Sequence, residues 1–178
     1  MAHDTHHHHK ESFITKYIFS QDHKMIGKQY LLTAIFMGAL GITLSALFRM
    51  KLGWPDTQFS ILESILGSDA APDGMLDSNW YLGLVTLHGT IMVFFVLTGG
   101  LSGTFSNLLI PLQVGARDMA SGLMNMISYW LFFTSSVLMA ASLFIETGPA
   151  MAGWTVYPPL SVLEEFQPGS GLGMTLWL

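Results

Sequence analysis

One histidine, His88, lies inside an uncharged apolar stretch that reads LVTLHGTIMVFFV. A polar side chain in hydrocarbon must find a partner, so an ionisable residue inside a segment long enough to cross a membrane is a candidate for function. A neutral imidazole can supply one nitrogen to a metal or to a haem iron. The simpler alternative is a histidine that hydrogen-bonds a neighbouring helix. The residues alone leave both possibilities open.

Small residues accompany this histidine. Gly89 follows it directly, and Gly99, Gly100 and Gly103 come further along the same stretch. Glycines let helices approach closely, and they also leave room for a flat macrocycle. For any single one of these glycines, helix packing is the simpler explanation.

A second group of polar residues begins at Asp118. Asn125 follows two turns later and Ser128 three residues after that, which places them near one face of a helix. Asn107 lies in the segment just before. A carboxylate at an entrance, followed by amides and hydroxyls, is what a water-filled proton path requires. Capping groups and packing polar groups would give the same pattern, so this alternative also stays open.

Two further features lie at the ends of the apolar segments. Arg49 ends the first segment, where arginines commonly extend to the headgroups, although its donors could also hold a carbonyl or carboxylate of a buried cofactor. The string GWTVYPPLS at 153–161 combines interfacial aromatics with two prolines that fix a rigid extended turn.

The composition indicates that these residues lie in a membrane protein. Only 11% of the 178 residues are charged, 51% are hydrophobic, and the mean hydropathy is +0.47. Three long intervals carry no Lys, Arg, Asp or Glu, namely 29–48, 78–116 and 119–145. A helix that crosses a hydrocarbon core needs about 20 residues. We therefore predict an all-α, polytopic transmembrane helix bundle with spans at about 29–49, 80–105 and 119–145.

The remaining segments are polar or irregular. Residues 1–28 are predicted to form an N-terminal tail, and its histidine run at 6–9 is assigned no function. Residues 52–78 form a loop, the stretch through Pro111 is predicted to turn at the membrane surface, and a Gly/Pro-rich outer segment follows Glu146. The apolar run at 174–178 stops as it begins, so we expect an incomplete chain. Without cysteine there are no disulfides or thiolate metal sites, and the net charge of −5 does not indicate nucleic-acid binding.

The distribution of basic residues predicts the orientation. Five of the seven lie on the side of the N-terminus and the second loop, whereas only Arg49 and Lys51 lie on the other side. Basic residues are enriched in cytoplasmic loops. We therefore expect a multi-pass protein of the bacterial inner (plasma) membrane with a cytoplasmic N-terminus.

From about residue 19 to residue 178 the chain resembles subunit I of cytochrome c oxidase, an A-type haem–copper oxidase. The resemblance rests on the strings FSQDHKMIGKQYLL, LSALFRMKLG, LHGTIMVFF, NLLIPLQVGARDMA, MNMISYW and GWTVYPPLS, in the family's order. It implies that the chain forms the first three helices, and the start of a fourth, of a subunit with roughly twelve helices.

The resemblance also implies a role for each candidate residue. His88 looks like an axial ligand of the low-spin haem iron, and Arg49 looks like the arginine that hydrogen-bonds the formyl group of that haem. Trp154 and Tyr157 match a loop that packs near the haem propionates. Asp118 looks like the entrance of the proton channel that the family uses for pumping. The residues that would lie along this channel are Asn107, Asn125, Ser128 and Tyr30.

The implied enzyme transfers electrons from cytochrome c, through copper and the low-spin haem, to a haem–copper centre that reduces O2 to water while protons are pumped. Its cofactors would be haem A and copper. The high-spin haem and CuB ligands are expected outside these residues, so no catalytic residue is expected here, and CuA belongs to a partner subunit. Implied partners are subunits II and III, cytochrome c or a fused or associated c-type cytochrome, a larger respiratory supercomplex and membrane lipids, but no nucleic acid.

Three departures from the family pattern qualify these expectations. Lys51 stands where the family usually has an acidic residue that contributes to an outer cation site, so we expect that site to be absent or rebuilt. The channel mouth reads GARDMASGLMNM where the family usually has GAPDMAFPRMNN, and Arg117 is expected to favour the ionised form of Asp118. The loop between the first two spans is longer than usual and is a candidate contact for another subunit.

Three alternatives compete with this assignment. A quinol oxidase of the same superfamily would share the fold and the histidine. A nitric oxide reductase would not be expected to carry the Asp118 and Asn125 pattern. A non-catalytic membrane scaffold, from a different functional class, would need none of His88, Arg49 and Asp118.

Overall fold

The structure is a computed structural model that describes residues 12–145, 148–165, 167 and 172–178. Within these ranges the regular elements are all helical, as the sequence predicts. The histidine run at 6–9 and Glu146 lie outside the described residues. A single helical turn at Ile14–Ile18 precedes the first long helix.

The first long helix, α1, spans His23–Gly53. It begins six residues before the predicted start, because a helix can continue beyond the hydrocarbon while its lysines reach water. At 1.5 Å per residue its 31 residues extend about 46 Å, more than the roughly 30 Å of a hydrocarbon core. One face of α1 is buried against the other helices. Its residues recur mostly every three or four positions and include Ile26, Tyr30, Met37 and Leu44.

The second long helix, α3, spans Ser78–Val114 as three joined segments. They are Ser78–Thr90, a wider π-helical segment Ile91–Leu101, and Ser102–Val114. Asp77 caps the start by accepting hydrogen bonds from the backbone amides of Asn79 and Trp80 at 2.8 and 3.3 Å. The turn predicted around Pro111 is wrong, since the helix continues to Val114. Pro111 has no N–H to donate to the carbonyl of Asn107, but only three more residues follow it before Gly115 ends the helix with φ +70°.

The third long helix, α4, spans Gly122–Ala141 and continues as a 3-10 turn, Ser142–Phe144. It begins three residues after the predicted start. The side chain of Ser121 accepts a hydrogen bond from the Met124 amide and caps the helix. These three helices are each long and apolar enough to cross a membrane.

The loop between α1 and α3 is partly ordered as helix. It contains α2, Ser60–Leu66, and a 3-10 turn, Pro72–Gly74. Leu62 and Leu76 are buried in the same hydrophobic core as the outer half of α1 and α3. The loop is therefore a folded cap at that end of the bundle. A last short helix, α5, spans Leu172–Trp177.

The glycines of α3 explain how closely the three helices pack. A Cβ at Gly99 would overlap the ring of Phe132 on α4, and a Cβ at Gly103 would overlap the ring of Tyr30 on α1. Gly100 faces Ala34 in the same way. These three glycines are therefore explained by helix packing.

Candidate functional site

His88 lies on α3, one turn before the π-helical segment begins. Its Nδ1 is 2.8 Å from the backbone carbonyl oxygen of Gly41 on α1. Because a carbonyl can only accept, Nδ1 carries the proton and donates, which leaves Nε2 as the nitrogen with a free lone pair. The ring also packs edge-on against Phe48, with ring centroids 5.6 Å apart. Two contacts with α1 thus fix the tautomer and the orientation of the imidazole.

The residues around His88 fit an axial haem ligand. The side chain is half-buried inside a membrane-length helix, and Nε2 has no hydrogen-bond partner among the described residues. Ligating histidines usually donate their second ring N–H to a carbonyl or carboxylate, which fixes the ring and raises the basicity of the ligand. The contact with Gly41 is such an interaction. Nε2 is the ring nitrogen that would ligate an iron.

Gly41 is needed for this contact because it brings the backbone of α1 close to α3. A Cβ built at Gly41 would lie 2.9 Å from Sδ of Met92 and 3.3 Å from Cγ2 of Ile91. The close approach places the carbonyl within reach of His88. Sequence reasoning missed this partner, since a carbonyl belongs to every residue and leaves no signal beyond the presence of a small residue.

Arg49 lies eight residues after Gly41, about 12 Å further along α1. Its side chain is exposed and makes no hydrogen bond or ion pair with another residue in the described part of the chain. Its neighbour in sequence, Phe48, is the residue that contacts the His88 ring. The structure therefore places Arg49 beyond the histidine, toward the C-terminal end of α1, without direct contact between the two.

The 153–161 segment folds back onto the same part of α3. The backbone amide of Gly153 donates to Oγ1 of Thr86 at 3.0 Å. Trp154 packs over Gly89, where a Cβ would lie 3.7 Å from its indole, and against Phe94. This brings Trp154 to the residue next to His88. Tyr157 is largely exposed and makes no described contact with His88.

A second site forms where α1 begins, around the carboxylate of Asp118. Its Oδ1 accepts from the Met119 amide at 2.7 Å, from Nδ1 of His23 at 2.9 Å and from the His23 amide at 3.3 Å. Partial burial raises the pKa of the Asp118 carboxyl, but these hydrogen bonds and the charge of His23 outweigh it, so the pKa lies below its ordinary value.

The predicted direction of this pKa shift is confirmed, but its predicted cause is wrong. Arg117 is exposed and is not among the groups that lower the pKa of Asp118. The side chains of adjacent residues in a turn often point in different directions, as those of Arg117 and Asp118 can. His23 lies 95 residues earlier in the sequence, but its side chain is buried and contacts the Asp118 carboxylate. Sequence reasoning missed His23, whose only signal is its position at the start of the first span. Asp22 also lies 3.6 Å from the His23 ring.

The four remaining predicted channel residues form one hydrogen-bonded cluster. Asn125 Nδ2 donates to Oδ1 of Asn107, and Ser128 Oγ donates to the backbone carbonyl of Asn125 at 2.7 Å. The hydroxyl of Tyr30 lies 3.1 Å from Ser128 Oγ and therefore donates to it. The structure brings together side chains from all three long helices. In the described residues, no direct hydrogen bond joins this cluster to Asp118.

These groups lie along the buried face of α1. His23 is at its first turn, and Tyr30 comes seven residues later, about 10 Å along the helix. Thr33 follows and shares a hydrogen bond of 3.2 Å with the hydroxyl of Tyr129, a pair that the sequence did not predict. Gly41, the partner of His88, lies about 16 Å beyond Tyr30. One helix thus positions both the polar row and the histidine.

Comparison with known proteins gives matches to subunit I of cytochrome c and quinol oxidases. The family model described as cytochrome C and quinol oxidase polypeptide I matches residues 25–178. The chain is 43% identical over 170 residues to an alternative cytochrome c oxidase subunit 1 of Bradyrhizobium diazoefficiens, covering 96% of this chain and 26% of that protein.

Other relatives bear both kinds of name. A cytochrome c oxidase subunit 1 of Cereibacter sphaeroides is 35% identical, with 89% of this chain and 31% of the relative covered. A probable quinol oxidase subunit 1 of Staphylococcus haemolyticus is 38% identical, with 90% of this chain and 22% of the relative covered. The chain thus spans between about a fifth and a third of the length of these relatives.

Proposed function

The chain belongs to the cytochrome c and quinol oxidase polypeptide I family, and we propose that it provides the low-spin haem ligand and the proton entrance of a proton-pumping terminal oxidase. It is an integral membrane protein with three helices able to span the membrane. The reaction of the whole enzyme would be oxidation of cytochrome c and reduction of O2 to water, coupled to proton transfer across the membrane.

The observation that supports haem binding is the pair His88 and Gly41. A membrane-embedded imidazole that donates Nδ1–H to a carbonyl, and keeps Nε2 open, is prepared to ligate iron. The bound haem would supply reversible one-electron transfer at this position. The role of His88 is to hold the iron and to fix its ligand geometry, and Phe48 restricts rotation of the ring.

Arg49, Trp154 and Tyr157 would bind the edges of the same haem. Trp154 already covers Gly89, the neighbour of His88, so its indole would lie beside a macrocycle held there. Arg49 is exposed and free of carboxylates in the described part of the chain, which leaves its five donors available for a polar haem substituent. Tyr157 is exposed on the same folded-back segment.

Asp118 and the cluster around Tyr30 would carry protons inward. Asp118 is an exposed carboxylate that is ionised at neutral pH, and the hydrogen bonds from Met119 and His23 lower its pKa further and hold it in place, so it would present a negative charge at the entrance. Asn107, Asn125, Ser128 and Tyr30 would continue the path along α1. Moving one charge against the membrane potential costs about 2.3 kcal/mol per 100 mV, so pumping needs a defined entrance of this kind.

The finer features of the enzyme follow from family membership. We expect haem A at His88, and a high-spin haem and CuB held by other parts of the full subunit, with CuA in a partner subunit. Subunits II and III and a c-type cytochrome would be the partners, alone or in a respiratory supercomplex. The bacterial plasma membrane would hold the protein with its N-terminus in the cytoplasm, as the basic residues indicate.

A quinol oxidase is the second candidate, and a specific observation favours it, namely the 38% identity to a probable quinol oxidase subunit 1. A reduced-minus-oxidised spectrum of the purified complex containing this chain separates the candidates. Haem A bands together with oxidation of cytochrome c would support the first proposal. Bands of only b- or o-type haems, with quinol oxidation, would support the second, and absence of haem would contradict both.

A further inference from the structure

The segment at 149–154 runs along one face of α3, in register with it. Gly83, Thr86 and Gly89 are spaced three residues apart on α3, so they share that face. In the same order, they contact Pro149, Gly153 and Trp154. The fit is close, since a Cβ at Gly83 would lie 2.8 Å from the ring of Pro149. This register brings the segment to Gly89, the residue next to His88.

The hydroxyl of Thr86 connects the segment to the helix. Its Oγ1 lies 2.8 Å from the carbonyl oxygen of Leu82 and donates its only proton there, because a carbonyl can only accept. The lone pairs of Oγ1 remain, and they accept from the Gly153 amide at 3.0 Å. Among the described residues, this is the only hydrogen bond between residues 153–161 and a membrane-length helix. The position of Gly153 therefore depends on a hydroxyl that is almost completely buried.

Gly153 begins a tight turn that needs such an anchor. The amide of Val156 donates to the Gly153 carbonyl at 3.2 Å and closes the turn. Val156 has φ +53°, a left-handed conformation that is unfavourable for a β-branched residue and persists only where surrounding contacts hold it. The contacts here are the hydrogen bond to Thr86 and the packing of Trp154 against Phe94, with ring centroids 5.9 Å apart. Loss of the anchor should let the turn relax and move the indole.

From these contacts we infer that Thr86 is a positioning residue for the haem site and acts through Trp154. It holds the turn at Gly153 so that the indole stays over Gly89 and keeps water from the edge of a haem bound at His88. Residues two apart do not share a face of a helix, so Thr86 faces the outer segment and not the haem. The inference rests on the proposed function and adds to it a residue two positions before the ligand.

The first measurement is hydrogen exchange in the intact complex, followed by mass spectrometry of the peptide that contains Gly153, and it does not depend on bound haem. Thr86→Val keeps the branched shape of the side chain but removes the acceptor. Exchange at the turn should become about fivefold faster, the change expected for the loss of one hydrogen bond. Thr86→Ser keeps the hydroxyl and should restore slow exchange.

Thr90→Val is the matched control. Thr90 is also buried on α3, one turn later, and its hydroxyl likewise donates to a carbonyl of its own helix. It accepts from Nε1 of Trp177 at 2.9 Å and not from the turn at Gly153. Exchange of the peptide that contains Gly153 should therefore be the same in Thr90→Val and in the unaltered protein.

The second measurement is the midpoint potential of the low-spin haem in the same variants. Water at the haem edge stabilises the ferric state, which carries one more positive charge than the ferrous state, so the potential should fall in Thr86→Val. It should be unchanged in Thr86→Ser and in Thr90→Val. Trp154→Leu should lower it as well. The double variant should match Trp154→Leu alone, because effects that act through one side chain do not add.

Three results would overturn the inference. Unchanged exchange in Thr86→Val would show that its hydroxyl does not hold the turn. Faster exchange with an unchanged potential would show that the turn does not influence the haem. A further fall of the potential in the double variant would show that Thr86 acts by a route other than Trp154. Absence of low-spin haem from the unaltered complex is a different failure, since it contradicts the proposed function, and with it the role of Thr86, before any variant is compared.

Discussion

The contact between Gly41 and His88 allows a sharp test, because a single methyl group should disturb it. In Gly41→Ala the new Cβ would lie 2.9 Å from Met92 Sδ and 3.3 Å from Ile91 Cγ2. Overpacking of this kind typically costs about 1–3 kcal/mol and is relieved by shifts of the neighbouring backbone. The thioether of Met92 is flexible and can move aside, so the contact that constrains the helices is the one with Ile91, which is fully buried on α3. Relief of that contact by a few tenths of an ångström moves α1 away from α3 and lengthens the 2.8 Å hydrogen bond to Nδ1.

The expected consequence is weaker haem binding at His88. Loss of an outer hydrogen-bond partner typically lowers the metal affinity of a histidine by about 10- to 100-fold. The purified complex would be incubated with an excess of a haem-scavenging protein, and retention of the low-spin haem would be followed by its absorption band. Gly41→Ala should lose low-spin haem at least tenfold faster than the unaltered protein, on the scale set by that affinity change.

Gly38→Ala is the matched control. It adds the same methyl one turn earlier on α1, where the nearest atom, Val96 Cγ2, is 3.6 Å away at ordinary contact distance. Its haem retention should equal that of the unaltered protein. Equal retention in Gly41→Ala and Gly38→Ala would refute the reasoning that the Gly41 carbonyl orients the ligand.

The remaining predictions concern the proton entrance. Asp118→Asn should slow proton uptake and turnover while leaving the haem spectra intact; unchanged rates in a stopped-flow assay with a pH-sensitive dye would count against the entrance role. In the protein the lowered pKa of Asp118 keeps it ionised at neutral pH, and its favourable interactions are lost as pH falls below the ordinary carboxyl range. His23→Phe should raise that pKa, so uptake should begin to fail at a higher pH than in the unaltered protein, and an identical pH profile would contradict this. Asn107→Leu should leave Asn125 without its buried partner and destabilise the complex by about 1–3 kcal/mol, seen as a lower Tm, whereas an unchanged Tm would argue against the cluster.

The sequence predicted the number and approximate positions of the three long helices better than the residues at which they begin and end. Long uncharged intervals identify the three spans because a hydrocarbon core excludes unpaired charges. An uncharged interval ends at the first charged residue, although the helix itself can continue beyond it into the headgroup region. Thus α1 begins at His23, ahead of Lys24 and Lys28, and α3 continues through Pro111 to Val114. The helix α2 within the acidic loop went unpredicted, since its seven residues are too short for a clear periodic pattern.

The candidate site was predicted by residue type, but its internal contacts were not. His88 and Asp118 are identifiable because an ionisable residue in or beside a span is unusual. Their partners, the Gly41 carbonyl and His23, depend on which helix faces come together, and a single sequence does not reveal this. The grouping of Asn107, Asn125, Ser128 and Tyr30 was expected from resemblance, and the structure supplies the hydrogen bonds that connect them.

The most direct test of His88 as a ligand of a low-spin haem iron is the electron paramagnetic resonance spectrum of the oxidised complex carrying His88→Ala. Thr98→Ala, an exposed substitution further along the same helix, serves as its control. We predict that the low-spin ferric signal disappears in His88→Ala and persists in Thr98→Ala. A low-spin signal that persists unchanged in His88→Ala would contradict the assignment.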